Sequence, residues 1–293
     1  MKILIAGSTG QLGTNLIRCL GRLEHKEKHE IIGATRKELD ITDNKEVLEY
    51  FKNNSFDAVI NAAAYTDVDK CETDFDNAFL VNAIGPRNLA IAAYKYGFKL
   101  IHISTDYVFD GKNPDGYYEF DRPNPISKYA ITKFAGEEYV KNHCTQYFII
   151  RTSWLYGKYG KNFVKTMLTL SESREEIKVV NDQKGSPTFS EDLVDFISKI
   201  ITTEKYGIYH FSNSGSCTWY EFAKEIFKIT NKDMTVHPIS TEEFNAPAPR
   251  PQYSILNNYM AKLEFDHESR SWQEALQEYL IRDRSQGTGD SFI

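Results

Sequence analysis

The sequence predicts an α/β fold built on a doubly wound parallel sheet, with a smaller mixed α/β lobe attached. Short apolar runs alternate with helix-compatible stretches through the first half of the chain, which is the order typical of a parallel sheet. The first run, residues 3–6, leads directly into a turn with three glycines and then into a helix. After about residue 153 the alternation becomes irregular, which indicates the second lobe.

The length of the chain allows two lobes. At 293 residues it can bury a full core, as one large domain or two modest ones, and we expect two lobes. The first is expected to comprise residues 1–152 plus about 182–214, and the second about 153–181 plus 215–281. Residues 282–293 are polar, contain glycine and lack periodicity, so we expect a flexible tail there.

The composition argues against several classes of protein. A formal net charge of -6 and a pI of about 5.7 do not suit a nucleic-acid-binding surface. No apolar run approaches the ~18 residues of a membrane-spanning helix, and the first run is too short for a signal peptide. The four cysteines show no paired spacing, which predicts buried free thiols. We therefore expect a cytoplasmic protein that acts on small molecules, with no nucleic acid or membrane as partner.

The first turn of the chain predicts a nucleotide site. Gly7, Gly10 and Gly13 lie between the first strand and the first helix. Glycines there let the backbone bend tightly and approach a pyrophosphate, while the helix N-terminus faces the anion. A plain tight turn is the alternative, but the position between a strand and a helix favours nucleotide binding.

The end of the second predicted strand, residues 30–34, indicates which nucleotide. A carboxylate at this position would suit the ribose 2′-hydroxyl of NADH, whereas an arginine suits the 2′-phosphate of NADPH. Arg36 occupies the position and favours NADPH, with NADH as the second option. A solvated arginine at a strand end is the alternative. Asp40 is a candidate for the adenine side of the pocket, and Thr42 is expected to cap the next helix.

Small side chains follow the third predicted strand, residues 57–61. The stretch 62–66 would let a flat ring or a ribose lie against the backbone. Asp69 comes next, ahead of a long predicted helix around residues 78–94. Taken alone, this carboxylate is best interpreted as part of a charged helix entrance favoured by the macrodipole.

A tyrosine and a lysine four residues apart are the strongest candidates for catalysis. Tyr129 and Lys133 fall on one face of a predicted helix, so the ammonium can lie near the phenol. A nearby fixed cation lowers the pKa of a phenol, ~10 when free, and makes it a better acid near neutrality. Thr105 or Ser104, after the apolar run 99–103, would supply a second hydrogen bond to a reacting oxygen. A surface Tyr and Lys on an ordinary helix is the alternative.

The remaining elements are predicted by the same kinds of signal. Ser127 and Ser190 are expected to cap helices, and Thr218 has capping-box spacing with Glu221. Gly136 would allow close packing of the helix that carries Tyr129. The other expected elements are strands at 147–151 and 207–211, a strand and polar turn at 178–188, a stiff segment at 246–251, and helices at 162–170 and 271–281.

Six blocks of sequence together resemble the dTDP-4-dehydrorhamnose reductase family, within the extended short-chain dehydrogenases/reductases. The blocks are Gly7-x-x-Gly10-Gln-Leu-Gly13, Asn61-Ala-Ala-Ala-Tyr-Thr66 with Val68-Asp69, Ser104-Thr-Asp-Tyr-Val-Phe-Asp-Gly111, Tyr129-x-x-x-Lys133, Arg151-Thr-Ser-Trp154 and Gly185-Ser-Pro-Thr188. The resemblance runs over residues 1–281, and the block at 104–111 is its most specific part. It implies a Rossmann-type dinucleotide-binding domain for the first lobe and a substrate-binding role for the second.

The same resemblance implies a reaction. A hydride would pass from reduced nicotinamide to the C4 ketone of dTDP-4-dehydro-L-rhamnose, giving the nucleotide sugar dTDP-L-rhamnose for polysaccharide biosynthesis. Tyr129 would donate the proton to the forming alkoxide. Lys133 would lower the pKa of that phenol and bind the nicotinamide ribose, and Thr105 would orient the carbonyl.

The resemblance also implies which residues form the two binding sites. The cofactor residues would be Gly7, Gly10, Gln11, Leu12 and Gly13 at the pyrophosphate, Asp40 and Ile41 at the adenine end, Ala63, Ala64, Tyr65 and Thr66 in the middle, and Tyr129 and Lys133 at the nicotinamide. Arg36 is added to them because of its position after the second strand. The substrate residues would be Val68, Asp69, Thr105, Tyr107 and Trp154. A core aromatic is the alternative for Trp154.

Metal binding and assembly stay open. Some relatives form metal-linked dimers through acidic residues near the first helix, but Asn15 occupies that neighbourhood here. Glu191 and Asp192 alone are insufficient, so no metal site is expected; Mg²⁺ and the choice between monomer and homodimer are undecided.

Two other functions stay open beside this one. The first is reduction of a different nucleotide-linked 4-keto sugar. The second is a non-catalytic binding role, since the regulatory subunit of methionine adenosyltransferase resembles the same family. The intact set of Thr105, Tyr129 and Lys133 weighs against the second.

Overall fold

Strands and helices alternate through the first half of the chain, as the sequence predicts. A computed structural model describes residues 1–21 and 29–286. Its strands are β1 (Lys2–Ala6), β2 (Glu30–Ala34), β3 (Ala58–Asn61), β4 (Lys99–Thr105), β5 (Tyr147–Thr152), β6 (Leu155–Tyr156), β7 (Glu176–Val180), β8 (Lys184–Gly185), β9 (Thr188–Phe189), β10 (Gly207–His210), β11 (Cys217–Thr218), β12 (Thr235–Ile239) and β13 (Tyr253–Ser254).

The helices lie between these strands. They are α1 (Gln11–Leu20), α2 (Asn44–Asn53), α3 (Phe75–Phe79), α4 (Gly85–Tyr96), α5 (Lys128–His143), α6 (Phe163–Leu170), α7 (Ser190–Ile200), α8 (Trp219–Thr230), α9 (Thr241–Phe244), α10 (Tyr259–Phe265) and α11 (Trp272–Gln286). A π-helical segment, Leu80–Ile84, joins α3 to α4, so the long helix predicted there carries a widened turn in its middle.

One sheet is parallel throughout and forms the base of the first lobe. Its strand order is β10-β5-β4-β3-β1-β2. Because β1 pairs with β2 on one side and β3 on the other, the winding direction changes at β1. A ligand-binding crevice is expected at the carboxyl ends of the strands at such a point. The predicted doubly wound parallel sheet is confirmed.

The side chains of β1 alternate between two buried clusters, one on each face of the sheet. Ile3 and Ile5 pack with α1 and α7, whereas Leu4 packs with α2 and α4. All three side chains are fully buried. Burying one such side chain contributes roughly 1.5–3 kcal/mol. The sheet is therefore anchored from both faces, which gives a fixed base to the loops at its carboxyl edge.

Short strands and helices make up the second lobe. β7 pairs in parallel with β12, and β8 lies between β11 and β13. A separate buried cluster joins α6, α8 and α11 and includes Phe222, Trp272 and Leu276. The mixed α/β character predicted for this lobe is confirmed, and the boundaries between the lobes stay a prediction.

Two of the predicted helix caps are confirmed. The Ser127 hydroxyl accepts a hydrogen bond from the Ala130 N–H at the start of α5. Thr218 and Glu221 form the reciprocal capping box of α8. Both caps could be predicted from the sequence because their hydrogen bonds join residues only three positions apart.

Two other predicted caps are wrong. Asp43, not Thr42, caps α2, because the Thr42 hydroxyl donates to Asp40 instead. Ser190 is the first residue of α7 and makes no cap hydrogen bond there. Its hydroxyl accepts a hydrogen bond from Asn15 at 2.7 Å, a contact between distant parts of the chain that local pattern cannot reveal.

The last helix extends beyond the boundary predicted for it. α11 continues to Gln286, and Arg282 pairs with Glu191 of α7 and with Glu278 one turn earlier. The prediction of a tail starting at Arg282 is therefore wrong for residues 282–286, while residues 287–293 lie outside the described part of the chain.

Two expectations from composition can be compared with the structure. Cys71, Cys144 and Cys217 are buried thiols outside any disulfide, as predicted, but Cys19 is only partly buried, so the prediction of burial is wrong there. Within residues 1–21 and 29–286, no helix has both the length and the apolar character needed to cross a bilayer.

Candidate active site

At two of its glycines the backbone around the first turn approaches its neighbours too closely to leave room for a Cβ. Gly7 has φ of 79°, and a Cβ there would lie 2.6 Å from the backbone nitrogen of Ala63. A Cβ on Gly13 would lie 2.1 Å from the Gly7 carbonyl oxygen. α1 begins directly after the turn at Gln11, so the unpaired N–H groups of its first turn adjoin it. This arrangement fits a pyrophosphate.

A first cleft, of about 360 Å³, extends from this turn past the ends of β2 and β3. The predicted cofactor residues that line it are Gly7, Gly10, Arg36, Asp40, Ile41, Ala63, Ala64 and Tyr65. The Arg36 side chain is 77% exposed, and its Nε donates to Asp40 Oδ2 at 3.1 Å. Burial acts to raise the pKa of the Asp40 carboxyl, but hydrogen bonds from Thr42 and Arg36 outweigh it and lower the pKa. Any phosphate bound by Arg36 must therefore share the guanidinium with Asp40.

Asn82 holds the loop beside this cleft, and the sequence did not single it out. It lies in the π-helical segment. Its Oδ1 accepts the Tyr65 N–H at 2.8 Å, and its Nδ2 donates to the Tyr65 carbonyl at 3.0 Å and to Thr132 Oγ1 at 3.1 Å. A Cβ on Gly136 would lie 2.2 Å from the Asn82 carbonyl oxygen, so α5 packs directly on this segment, as predicted. One amide thus joins the loop at Tyr65, beside the first cleft, to the helix of the catalytic candidates.

A second cleft, of about 580 Å³, brings the three predicted catalytic residues together. Thr105 ends β4, while Tyr129 and Lys133 lie one turn apart on α5. They are only 6%, 9% and 2% exposed, respectively. The other predicted site residues that line this cleft are Gly10, Gln11, Leu12, Ala64, Thr66, Val68, Tyr107 and Trp154.

The pKa of the Tyr129 phenol is raised, chiefly by burial, although a hydrogen bond with Thr105 opposes the change. The net lowering of this pKa that the sequence predicts is not found, because burial outweighs the interactions that favour the phenolate. The Lys133 ammonium donates to the Ile103 carbonyl at 2.7 Å. Burial lowers the pKa of Lys133 to about 8, against the opposing charge of Glu137. At neutral pH the phenol is therefore protonated and the lysine mostly charged.

Glu137 and Arg151 form a buried ion pair next to the catalytic candidates. Their side chains are 0% and 2% exposed, and Arg151 Nη2 lies 2.8 Å from Glu137 Oε2. The Ser104 hydroxyl donates to the same carboxylate, and Arg151 Nη1 lies 3.3 Å from His210 Nε2. Because Glu137 is one helical turn beyond Lys133, the pair links α5 to the ends of β4 and β5.

Trp154 lies in the wall of the second cleft. Its φ of 46° is rare for a bulky residue. Its ring stacks on Trp219, with centroids 3.4 Å apart and planes 8° from parallel. A Cβ on Gly185 would lie 2.6 Å from the same ring, so the tryptophan is held from more than one side. Contact of Trp154 with a substrate stays a prediction.

Asp69, a predicted substrate residue, is not among the residues that line the second cleft. Its Oδ2 lies 2.9 Å from Arg250 Nη2, and its Oδ1 accepts the Ala248 N–H at 3.1 Å. Burial acts to raise the pKa of Asp69, but the hydrogen bonds from Arg250 and Ala248 outweigh it and lower the pKa. Arg250 also hydrogen-bonds the Tyr107 hydroxyl. Sequence reasoning missed this arginine, whose partner is distant in the chain.

A third cavity, of about 380 Å³, adjoins the second cleft, and Tyr107 and Trp219 line both. Most of its wall is aromatic or aliphatic, with a few polar groups at its edge. The wall includes Phe163, Met167, Gln183, Phe244 and Arg250. Such a mixture suits a flat, partly polar ring.

The acidic residues near the first helix are paired with arginines. Glu191 pairs with Arg282, and Asp192 with Arg270 at 2.7 Å. Among the described residues, no group of three or more His, Cys, Asp or Glu side chains is placed to hold a metal ion.

Comparisons with known proteins agree with the resemblance seen in the sequence. A family model described as the RmlD substrate binding domain matches residues 1–285. The dTDP-4-dehydrorhamnose reductase of Escherichia coli is 36% identical over 96% of this chain and 97% of its own length. The Bacillus subtilis spore coat polysaccharide biosynthesis protein SpsK is 42% identical over 95% of this chain and 96% of its own length.

Solved structures give the same result. The dTDP-4-dehydrorhamnose reductase of Bacillus anthracis, in complex with NADP, is 48% identical with a TM-score of 0.92, and the match covers 96% of this chain and 99% of that one. The orthologue from Clostridium acetobutylicum has a TM-score of 0.93 at 47% identity, covering 97% and 100%. The glycine turn, the second cleft and these matches over nearly the whole length lead to one conclusion: the chain belongs to the dTDP-4-dehydrorhamnose reductase family.

Proposed function

We propose that this chain uses a reduced nicotinamide cofactor, preferably NADPH, to reduce the C4 ketone of dTDP-4-dehydro-L-rhamnose to dTDP-L-rhamnose. The observation that carries the proposal is the convergence of Thr105, Tyr129 and Lys133 in a cleft that also contains residues of the glycine turn. The test is NADPH oxidation by the purified chain on addition of the keto sugar, with the product identified by mass and NMR. Absence of oxidation by folded protein would exclude this function.

The first two clefts would hold the two ends of the cofactor. Gly7 and Gly10 leave room for the pyrophosphate, and Asp40 and Ile41 would contact the adenosine half. Lys133, in the second cleft, would bind the nicotinamide ribose. When bound, the reduced nicotinamide supplies a hydride.

The chain's own residues would act on the carbonyl oxygen of the substrate. Thr105 and Tyr129 can both donate hydrogen bonds to it, which stabilises negative charge as it develops there. Tyr129 then gives its proton to that oxygen, so the ketone becomes a hydroxyl and the phenol a phenolate. The positive charge of Lys133 stabilises this phenolate, and solvent returns the proton.

The nucleotide part of the substrate would occupy the third cavity. The rings of Phe163 and Trp219 suit stacking or edge contact with thymine, and Gln183 offers an amide to its polar edge. Arg250 lies where this cavity borders the second cleft, beside Tyr107. A diphosphate joining base and sugar would pass this guanidinium, which suits phosphate oxygens.

Replacing Arg250 by alanine is expected to raise KM for the nucleotide sugar by roughly ten- to hundred-fold, the range of one charge-assisted hydrogen bond. KM for NADPH should change far less, because Arg250 lies in the wall of the third cavity. Both KM values are measured by steady-state kinetics, with one substrate varied at a time. Asp69→Asn is the matched control, since it breaks the ion pair and keeps the guanidinium. An equal rise in both KM values for Arg250→Ala would contradict this role.

Arg36→Ala is expected to lose mainly NADPH efficiency. An exposed guanidinium–phosphate contact supports roughly ten- to hundred-fold discrimination between NADPH and NADH at most. The Arg36 guanidinium also hydrogen-bonds the Asp40 carboxylate, which competes with a phosphate for it. The parent's preference should shrink as added salt screens the contact. The measurement is kcat/KM for NADPH and NADH at low and moderate salt, with the neighbouring exposed Lys37→Ala as control. Equal use of both cofactors by the parent would leave Arg36 without this role.

A second candidate is reduction of another nucleotide-linked 4-keto sugar. A relative from Streptomyces antibioticus, 38% identical over 95% of this chain and 94% of its own length, is named a probable dTDP-4,6-dihydroxy-2-methyloxan-3-one 4-ketoreductase. Comparing kcat/KM for both keto sugars decides between the two. A non-catalytic binding role would require no turnover of either.

A further inference from the structure

The hydroxyl of Thr105 is already engaged by groups of the protein. Thr105 Oγ1 lies 2.9 Å from Asp106 Oδ1 in a hydrogen bond, and it accepts the Tyr107 N–H at 3.2 Å. Tyr129 shares a further hydrogen bond with Thr105, and a bound substrate carbonyl would replace Thr105 as the partner of that phenol. Thr105 and Asp106 are only 6% and 2% exposed, and both line the second cleft. The carboxyl of Asp106 is therefore a direct neighbour of the oxygen that is expected to orient the substrate carbonyl.

A hydroxyl group has one proton to donate and two lone pairs with which to accept. The Tyr107 N–H occupies one lone pair of Thr105 Oγ1. An ionised carboxylate can only accept, so an ionised Asp106 takes the single proton of Thr105 and leaves none for a substrate. A protonated Asp106 can instead donate to the second lone pair, and the Thr105 proton is then free to point at the carbonyl.

We propose that Asp106 is a positioning residue: its protonated form turns the Thr105 hydroxyl toward the reacting carbonyl, and its ionised form turns it away. The inference rests on the proposed reduction and adds a residue that controls it. Asp106 acts through Thr105 and needs no contact with the reacting atoms for this role.

The surroundings of Asp106 favour a proton near neutrality. Burial raises the pKa of its carboxyl to about 7, although hydrogen bonds from Ser254 and Thr105 and from nearby backbone N–H groups oppose the change. The phenols of Tyr107 and Tyr129 also face it, and both have pKa values raised by burial, so they stay neutral in this range.

The charged side chains that interact with Tyr107, the residue next to Asp106, are Arg250 and Asp69. These two form an ion pair, so their charges offset each other. On α5, the charge of Lys133 faces Glu137 and His102. Below about pH 7 Asp106 is therefore mostly neutral, and the Thr105 hydroxyl can donate to the substrate carbonyl. As the pH rises through that value, Asp106 ionises and takes the Thr105 proton for its own hydrogen bond.

The test is the pH profile of kcat between pH 6 and 9 for the parent, Asp106→Asn and Thr105→Val. The parent should fall by roughly ten- to hundred-fold through about pH 7, and the parent and all variants should fall near pH 8 as Lys133 loses its charge. Asp106→Asn should remove the fall near pH 7, because its amide can donate to Thr105 at every pH. Thr105→Val should be low and should also lack the fall near pH 7, and the double variant should match it.

Two results would overturn the proposal: the same fall near pH 7 in Asp106→Asn as in the parent, or a fall near pH 7 that persists in Thr105→Val. Melting temperatures of each variant across the pH range exclude unfolding as the cause. If no keto sugar is turned over, infrared titration of the parent against Asp106→Asn still tests the switch. A protonated-carboxyl band present at pH 6 and lost by pH 9 supports it, and a carboxylate throughout contradicts it.

Discussion

Replacing Tyr129 by phenylalanine is expected to lower kcat by about two to four orders of magnitude, the range for loss of a positioned proton donor. The ring lies in a small buried cluster with Cys71 and Ala78, and phenylalanine keeps those contacts. The change removes only the hydroxyl and its hydrogen bond with Thr105. KM and the melting temperature should therefore change little. Single-turnover measurement of NADPH oxidation reports the chemical step directly.

The matched control for this variant is Tyr107→Phe. Tyr107 meets Tyr129 edge to face at 5.8 Å, lines the same cleft and loses the same group. Since its hydroxyl hydrogen-bonds Arg250, we expect its loss to affect KM for the nucleotide sugar more than kcat. Ordinary kcat in Tyr129→Phe, or equal loss in both variants, would remove Tyr129 from the role of acid.

Arg151→Met is expected to lower the free energy of unfolding by about 3–5 kcal/mol, because it leaves the Glu137 carboxylate buried without its cation. That is a large fraction of the roughly 5–15 kcal/mol typical of a folded domain. Urea unfolding followed by circular dichroism gives the value, provided that the transition is cooperative.

Two controls separate loss of charge pairing from loss of packing. Combining Arg151→Met with Glu137→Gln removes both charges and should recover much of the lost stability. Lys141→Met breaks the exposed pair with Glu138 and should cost less than about 1 kcal/mol. If Arg151→Met costs no more than Lys141→Met, the buried pair has no structural importance.

The sequence predicted those parts of the fold that depend on neighbours along the chain. The strands of the main sheet, the Ser127 cap and the Thr218 capping box each need only a short window of residues. The errors at Thr42 and Ser190 have a different cause. At Thr42 a second local partner, Asp40, takes the hydroxyl, and the next residue, Asp43, caps the helix. At Ser190 the partner is Asn15, far away in the chain, which no short window of residues can reveal.

The candidate site was likewise predicted only where it depends on motifs of residues close together in the chain. The structure places Thr105, Tyr129 and Lys133 together as their motif predicts, but it reverses the expected direction of the pKa shift in Tyr129. Burial decides that shift, and burial of a phenol cannot be read from a four-residue spacing. The Asn82 hydrogen bonds and the Arg250–Asp69 pair likewise join segments far apart in the chain.

The stacked pair of Trp154 and Trp219 has a consequence for spectroscopy. The chain has three tryptophans, and these two lie in the wall of the second cleft while Trp272 is in the core of the second lobe. Indole rings in parallel contact couple electronically, so we expect this pair to give a near-ultraviolet circular dichroism signal of its own that originates at the cleft. The protein thus carries its own unlabelled optical probe of what enters there.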